Sequence, residues 1–394
     1  MALFELINSL LYIVAIWMYW RKKKSIDTYF VLLSAYGFTA IMCLLYQNSG
    51  ESSFHTSLLP YFYMFLCFMI CFRPYKNMSI GESLYINENG LIKALMWIYI
   101  ITGLFGIYYT LPDAMMILQA GEYSQLRNSL YAGDDMVLYH SQFERLCKNI
   151  FSYLGPFGIV MAFYQLIKPD KKLYLIFLLF GTWLGNTFLS ATLVASRGIV
   201  AVLLLRVALI FVLFRPAMPQ KLQKKFLSAI GMLCIPLFFY FMAVSISRFG
   251  ESDASSSIFM YLGHAMQNLN ENCIGAMHSF AYGKYAMSFF GPMFGFHFSP
   301  ENFASLGYTG STGFYTFLGA FYIDFGPIIT VFYCILLSCI IAHFTNKRYK
   351  KFSDLIVIVY FASFFVNGVF VIGTGYALQW IMLWVVYRIV KFIE

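Results

Sequence analysis

The feature that most constrains this chain is a series of apolar runs, each about as long as a membrane helix. A helix that crosses a bilayer needs about 20 consecutive, mostly apolar residues. Eleven runs approach that length: 3–20, 28–47, 57–72, 92–110, 150–167, 172–193, 198–214, 227–246, 314–342, 354–371 and 376–392. Backbone polar groups must be satisfied internally in lipid, so each run is predicted to be helical. We therefore expect an all-α polytopic membrane protein, with residues 1–394 forming a single membrane domain.

The composition supports this fold class. Hydrophobic residues make up 60% of the chain and charged residues 11%, whereas soluble domains average about 25% charged residues. The net charge of +9 could suggest a nucleic-acid partner. The basic residues instead sit at the ends of apolar runs, which is typical of membrane topology. We expect no nucleic-acid binding.

Basic residues follow alternate apolar runs, and their distribution predicts a topology. The clusters are Arg21–Lys24, Arg73 with Lys76, Lys168–Lys172, Arg215–Lys225 and Lys347–Lys351. If these are cytoplasmic, about 20 Lys and Arg lie inside and about six outside. We predict an N-terminus outside the cytoplasm and a C-terminus within it. A signal peptide carries its positive charges before its apolar region. Here Arg21–Lys24 follow the apolar run 3–20, so this run is predicted to be a membrane helix and not a signal peptide.

Two outer loops are expected to be long, 111–149 and 247–313. Within the second, apolar and polar residues alternate at helical spacing over 254–273. The apolar positions are Ile258, Leu262, Ala265, Met266 and Leu269, and the polar ones are His264, Gln267, Asn268 and Glu271. We predict an amphipathic helix that ends near Gly275, lies at the membrane interface and lines a cavity with its polar face. Further along, Pro327 is expected to kink the run 314–342.

The cysteines and the loops offer no cofactor site. Six of the eight cysteines lie in apolar runs, and only Cys147 and Cys273 lie in polar segments, where a disulfide between them is one open interpretation. No CxxC or Cys/His metal spacing occurs. The cytoplasmic loops are short and hold no nucleotide-binding motif. The sequence therefore predicts no metal, no cofactor and no nucleotide.

Three arginines are candidates for binding a lipid-linked pyrophosphate. Arg197 lies at a tight outer turn between two runs, and Arg248 opens the second outer loop directly after a helix. At the depth of a lipid phosphate, a guanidinium binds phosphate through paired hydrogen bonds. Arg127, in the first outer loop, is the third candidate. The alternative for Arg197 and Arg248 is an interfacial anchor whose head group reaches water. Arg206 lies within a run, where a structural pairing is expected.

Other outer residues are candidates for proton transfer and sugar binding. His264, His278 and Asp324 could each deprotonate a sugar hydroxyl, and a neutral histidine suits this role near pH 7. Glu271 is a rival base. The structural alternative is open for each, and for Asp324 it is hydrogen bonding at a helix end. Tyr315 and Tyr322 could stack on sugar rings, or could belong to an interfacial aromatic belt.

The whole layout resembles the bacterial oligosaccharide repeat-unit polymerases of the O-antigen and capsule pathways (Wzy-type). About eleven helices, one moderate and one large outer loop, and short basic cytoplasmic turns carry the resemblance. Local motifs add to it: Ser196-Arg197-Gly198, Ser247-Arg248-Phe249, and Thr312-Gly313-Phe314-Tyr315-Thr316 leading to Tyr322-Ile323-Asp324-Phe325-Gly326. The resemblance implies a GT-C-like, multi-pass enzyme of the bacterial inner membrane that acts on the periplasmic face.

The resemblance also implies a reaction. Such polymerases transfer a growing glycan from undecaprenyl pyrophosphate to the non-reducing sugar of a new lipid-linked repeat unit, with inversion and without a metal. Arg197 and Arg248 would hold the pyrophosphate and Arg127 would assist. The base would be His264, His278 or Asp324. Implied partners are the lipid-linked donor and acceptor, membrane lipid, a chain-length regulator and a flippase. Two rivals remain open: an O-antigen ligase that transfers glycan to lipid A-core, and a carrier or flippase of lipid-linked glycans.

Overall fold

The computed structural model describes residues 2–76, 88–121, 140–249, 254–299, 301–310 and 314–394, together with the single residues 78, 80, 86 and 123. The helices in chain order are α1 Leu3–Lys23, α2 Thr28–Asn48, α3 Leu58–Phe72, α4 Gly90–Ala120, α5 Gln142–Tyr153, α6 Gly155–Ile167, α7 Leu173–Leu193, α8 Arg197–Phe214, α9 Gln220–Phe249, α10 Ala254–Asn268, α11 Glu301–Ser305, α12 Thr316–Thr345, α13 Phe352–Asn367 and α14 Tyr376–Ile393. Among these residues the only β-type pairing is an isolated bridge between Thr316 and Val371. The expected all-α class is confirmed.

The chain divides into two compact units. The first unit comprises Met1–Met78, Ser255–Arg348 and Phe361–Ile381. The second unit comprises Ser79–Ala254, Tyr349–Tyr360 and Met382–Glu394. Each unit is therefore assembled from segments that are far apart in the sequence. Each is described by itself below.

The membrane-spanning character expected from the apolar runs is confirmed, with a smaller number of spans. Nine helices in the described part of the chain are long and apolar enough to cross a membrane. The pair α5 and α6 makes a tenth span if its 59° bend lies within one crossing. α13 is apolar but has 16 residues. Each of the eleven predicted runs corresponds to a helix or, for 150–167, to the bent pair α5 and α6, although the run 354–371 extends past the end of α13 at Asn367. Nine or ten of them meet the length of a span.

An aromatic core holds the first unit together. Tyr36 of α2 lies 4.5 Å from Phe68 of α3, measured between ring centroids, and 6.1 Å from Phe317 of α12. Its hydroxyl donates to the carbonyl of Phe365, 2.8 Å away. All four side chains are buried. Burial of rings of this size is the main source of packing free energy in such a core.

A kink divides α12 where Pro327 predicted one. The non-helical residue is Gly326, with φ 70° and ψ −175°, a region that is almost exclusive to glycine. An added Cβ there would lie 2.6 Å from Cε2 of Phe280. Pro327 cannot donate a backbone hydrogen bond and disfavours helical geometry in the preceding residue. The kink separates a short helix that carries Asp324 from the long apolar remainder.

The predicted amphipathic helix is present, but two residues of its polar face are buried within the first unit, and its position at the membrane interface stays a prediction. α10 continues as a π-helical turn over Leu269–Gly275, so it ends at the predicted glycine. Gln267 and Asn268, both on the polar face, are fully buried. The reason is close packing on α2: a Cβ added to Gly263 would lie 2.6 Å from Cα of Cys43. Within the first unit, the amide group of Gln267 donates to Oε1 of Gln47 at 2.6 Å and that of Asn268 to the hydroxyl of Tyr308 at 2.7 Å.

The second unit is organised around the pairing of α4 with α7. The amide of Asn186 donates to the carbonyl of Gly103 at 2.8 Å. Tyr99 stacks on Phe151 of α5 at 4.7 Å. α4 continues to Ala120 and α5 begins at Gln142. The outer segment expected over 111–149 is therefore helical at both of its ends.

The cysteines are all free thiols, so the interpretation of a Cys147–Cys273 disulfide is wrong. Both of these thiols are buried, Cys147 in the second unit and Cys273 in the first. Cys273 lies in the π-helical turn after α10. A free, buried cysteine behaves as a small hydrophobic residue.

Candidate functional site

Arg197 begins α8 and is fully buried, contrary to the expected position at a water boundary. Ala195, with φ 44°, reverses the chain before it, and the amide of Ser196 donates to the carbonyl of Ala191 at 2.9 Å. Nη1 of Arg197 donates to Oγ of Ser245 at 3.0 Å. The guanidinium carbon lies 5.8 Å from the ring centroid of Phe241. Because the side chain of Arg197 is fully buried, its guanidinium does not reach water. The alternative role as an interfacial anchor does not fit this structure.

Ser245 is the residue that positions this guanidinium, and no pattern in the amino-acid sequence indicates this role. It is fully buried in α9. Its Oγ donates to the carbonyl of Phe241 at 2.7 Å, which leaves the oxygen oriented to accept from Arg197. The C-terminal end of a helix carries a partial negative charge that stabilises a nearby cation. The last turns of α9 are therefore a favourable place for the Arg197 guanidinium.

Arg248 lies in the last turn of α9, three residues after Ser245. The helical rise places its backbone about 4.5 Å further along the axis. Next to it, Oγ of Ser247 donates to the carbonyl of Gly121 at 3.3 Å, and the ring of Tyr123 lies 6.2 Å from that of Tyr240. The end of α9 thus adjoins the end of α4, where the first outer loop begins. Arg127 of that loop lies outside the described residues.

Asp324 joins the first half of α12 to a turn that precedes it by about forty residues. Its side chain is fully buried. Oδ1 accepts from the amide of Tyr285 and Oδ2 from the amide of Ala286, each at 2.9 Å. Its own carbonyl accepts from the amide of Tyr282 at 2.8 Å. This geometry favours the structural alternative for Asp324, and a role as a base stays a prediction.

Tyr315 and Tyr322 belong to the core of the first unit. Tyr315 is 3% exposed, and its hydroxyl lies 2.7 Å from that of Tyr285. Tyr322 is 4% exposed and packs edge-on against Tyr63 and Phe280. A sugar ring cannot stack on either residue without a rearrangement of these contacts. Their burial favours a packing role over sugar binding.

His264 lies in α10 with its ring between aromatic neighbours. It is partly exposed, 4.9 Å from the ring of Phe54 and 6.5 Å from that of Phe314. Burial lowers the pKa of His264 from 6.5 to about 4, because desolvation disfavours the charged form. The imidazole is therefore neutral at pH 7. A neutral imidazole can accept a proton.

His278 is exposed and lies against Gly307. Its amide donates to the carbonyl of Leu306 at 3.3 Å. A Cβ added to Gly307, whose φ is 88°, would lie 2.6 Å from Cε1 of the imidazole. The glycine thus leaves room for the ring against the backbone. His278 is the most accessible of the three predicted bases.

A row of polar side chains that begins at Asn268 forms contacts that the helical pattern does not predict. Asn270 pairs with the backbone of Ser57 through two hydrogen bonds, of 2.9 and 2.8 Å. Glu271 accepts from the amide of His55 at 2.7 Å. Asn268 donates to the carbonyl of Phe314 at 2.5 Å. The spacing of Asn268, Asn270 and Asn272 at alternate positions was the available signal, and these contacts hold the segments around Ser57 and Phe314 onto α10 and the turn that follows it.

The predicted site residues thus fall into two groups. Arg197 and Arg248 belong to the second unit, whereas His264, His278, Asp324 and both tyrosines belong to the first. Within the part of the chain that is described, no three His, Cys, Asp or Glu side chains come together as metal ligands. Comparisons with protein-family models, with curated proteins and with solved structures find no match to this chain. A functional assignment therefore depends on the residues themselves.

Proposed function

We propose that this chain is a membrane glycosyltransferase that polymerises undecaprenyl-pyrophosphate-linked oligosaccharides. It would transfer the growing glycan to the non-reducing end of an incoming lipid-linked repeat unit. The observation that carries the proposal is the contact between Arg197 and Ser245, one helical turn from Arg248. Two arginines at one helix end suit a diphosphate, which offers more than one acceptor oxygen. The resemblance described above supplies the identity of the lipid-linked glycan.

The arginines would act on the leaving group. When the bond between the glycan and the pyrophosphate breaks, negative charge grows on the pyrophosphate oxygens. Arg248 would contact these oxygens, and Arg197 would add a positive charge from within the protein, where charges are weakly screened. A preorganised donor of this kind contributes about 10²- to 10³-fold in rate. Direct contact of Arg197 with the donor would require its hydrogen bond to Ser245 to open.

In the scheme that the resemblance implies, the acceptor hydroxyl would be deprotonated by His264, a residue of the first unit. The imidazole of His264 is neutral at pH 7, and the burial that lowers its pKa to about 4 also makes it a weaker base than an exposed histidine. It would take the proton while the hydroxyl oxygen forms the new bond to the anomeric carbon. The pyrophosphate would leave with the electron pair of the broken bond, and the anomeric configuration would invert. The rings of Phe54 and Phe314 offer apolar contact to the acceptor sugar. His278 and Asp324 are the rival bases.

The proposal includes a location. The enzyme would act at the periplasmic face of a bacterial inner membrane, with its N-terminus periplasmic and its C-terminus cytoplasmic. The multi-pass helical architecture and the distribution of basic residues support this orientation. Its partners would be the lipid-linked donor and acceptor, with a flippase supplying repeat units and a chain-length regulator acting on the product.

The identity of the acceptor molecule distinguishes the proposed polymerase from a ligase and from a carrier. Purified full-length protein would be incubated with undecaprenyl-pyrophosphate repeat unit, with EDTA and without nucleotide. We expect a ladder of longer lipid-linked glycans. Product that forms only when lipid A-core is added would contradict polymerisation and indicate a ligase. Transbilayer movement of the repeat unit in vesicles, with no new glycosidic bond, would contradict it in favour of a carrier.

A further inference from the structure

A cavity of about 360 Å³ opens beside the C-terminal end of α3, in the first unit. Its lining residues are Tyr29, Met69, Ile70, Arg73 and Lys76. Arg73 begins a short 3₁₀ turn, Arg73–Tyr75, that follows α3 directly. The cavity is therefore apolar on its α3 side and basic at its end. No candidate for the transfer reaction described above lies in it.

The charge on this cavity is unbalanced. Arg73 and Lys76 are both exposed, and within the described residues neither forms an ion pair with a carboxylate. Asp27 is close to the cavity but pairs with other groups: it accepts from the hydroxyl of Tyr19, from the amide of Phe30 at 2.9 Å and from Nζ of Lys23 at 3.4 Å. Nζ of Lys76 lies 5.8 Å from the ring centroid of Tyr19. The basic end of the cavity thus favours an anion.

The same end of the helices carries further basic residues. α1 ends at Lys23 and α2 begins at Thr28, so both of these ends meet on the side where α3 also ends. The run Arg21–Lys24 therefore lies at the same membrane surface as Arg73 and Lys76. Clusters of basic residues next to membrane helices attract anionic lipid head groups, by about 1 kcal/mol per residue in general. A lipid phosphate at this depth would face several cations.

The apolar wall distinguishes a lipid from a soluble anion. Met69 and Ile70 are partly exposed to the cavity, and the hydroxyl of Tyr29 donates to Sδ of Met69 at 3.6 Å. A free phosphate would gain nothing from this surface, whereas the glycerol and the first carbons of an acyl chain would bury it. We propose that this cavity binds the phosphate group of an anionic membrane phospholipid, with Arg73 and Lys76 as its ligands. The site is independent of the proposed glycosyl transfer.

Native mass spectrometry of the full-length protein in detergent tests this site. Phosphatidylglycerol or phosphatidylcholine would be added at equal concentration, and the bound lipid counted. We expect the wild type to prefer phosphatidylglycerol. The double variant Arg73→Gln/Lys76→Gln should lose about tenfold or more in phosphatidylglycerol affinity. The matched control Lys224→Gln/Lys225→Gln removes the same charge from exposed positions of α9 that do not line the cavity, and it should change the affinity less than about twofold.

A second variant and a second ligand sharpen the result. Ile70→Trp fills the cavity while keeping its charge, and it too should lower phosphatidylglycerol retention. If the Arg73→Gln/Lys76→Gln protein retains phosphatidylglycerol as well as the control does, the proposed site is wrong. If inorganic phosphate displaces the lipid and binds the wild type but not the double variant, the ligand is a soluble phosphate, and the proposal of a lipid is overturned. Thermal unfolding of each variant checks that it is folded.

Discussion

The guanidinium of Arg197 and the hydroxyl of Ser245 form a 3.0 Å hydrogen bond between the first turn of α8 and the last turns of α9. Both side chains are fully buried. Arg248 follows Ser245 by one helical turn, so this bond ties Arg197 to the end of α9 that carries the second arginine proposed for the pyrophosphate. The relationship makes Ser245 a positioning residue for Arg197.

Ser245→Ala should destabilise the protein. It removes the acceptor from a buried, charged donor, which costs about 1–3 kcal/mol of unfolding free energy. Thermal unfolding in detergent would measure the loss. The control is Ser247→Ala, two residues later, whose exposed hydroxyl makes a longer bond of 3.3 Å. That change should stay within about 0.5 kcal/mol. Equal effects of the two substitutions would contradict the positioning role.

Asp324→Ala should destabilise the first unit more strongly than a surface change does. It leaves the buried amides of Tyr285 and Ala286 without their acceptor, at a cost on the order of 2–4 kcal/mol. Asp113→Ala, at an exposed ion pair with His140, is the control and should cost less than about 1 kcal/mol. If Asp324→Asn retains the wild-type melting temperature yet abolishes turnover, Asp324 is the base and our structural interpretation is wrong.

The stability of the protein should depend on pH through His264. Burial lowers its folded pKa to about 4, below the 6.5 of the unfolded chain. The unfolded state therefore binds the proton first, and stability falls as the pH drops from about 6.5 to about 4. The full effect is up to about 3 kcal/mol. His264→Asn should remove this pH dependence. Because the wild type loses stability as the pH falls and the variant does not, the difference between their free energies of unfolding should shrink toward pH 4. A difference that is constant between pH 4 and pH 7 would contradict the shift.

Gly326→Ala should distort the kink in α12. A side chain is strained at φ 70° and ψ −175°, and the new Cβ would lie 2.6 Å from the Phe280 ring. We expect a loss of about 1–3 kcal/mol in unfolding free energy. In Gly181→Ala, on α7, the added methyl group meets no atom within 4 Å. That variant should be neutral or more stable by up to about 1 kcal/mol. Comparable melting temperatures for the two would argue against a strained kink.

Helix positions could be predicted from the sequence because the length of an apolar run determines them. The bend between Tyr153 and Gly155 was missed although the sequence signals it, because Pro156 in the first turn of α6 interrupts the preceding helix. The burial of α10 was also missed. An amphipathic pattern indicates a two-sided helix, but only tertiary packing, here the approach of Gly263 to Cys43, decides what covers its polar side.

Some features of the candidate site could likewise be predicted from the sequence, and others could not. The tight turn before Arg197 could be predicted because two apolar runs nearly touch there. Its burial depends on which face of α9 lies opposite, and no local pattern gives that. Asp324 is held by the amides of Tyr285 and Ala286, nearly forty residues earlier in the chain. Contacts at that separation are set by the fold of the whole unit.

The elongation rate of arginine variants tests the central claim most directly. Purified variants would extend an undecaprenyl-pyrophosphate repeat unit, with melting temperatures as the check on folding. We predict that Arg248→Gln and Arg197→Gln each slow elongation by about 10²- to 10³-fold. Arg197→Lys, which keeps the charge, should lie between Arg197→Gln and the wild type. Arg145→Gln, at an exposed position of α5, should stay within about twofold of the wild-type rate. Folded Arg197→Gln and Arg248→Gln proteins that elongate at the wild-type rate would contradict the proposed pyrophosphate site.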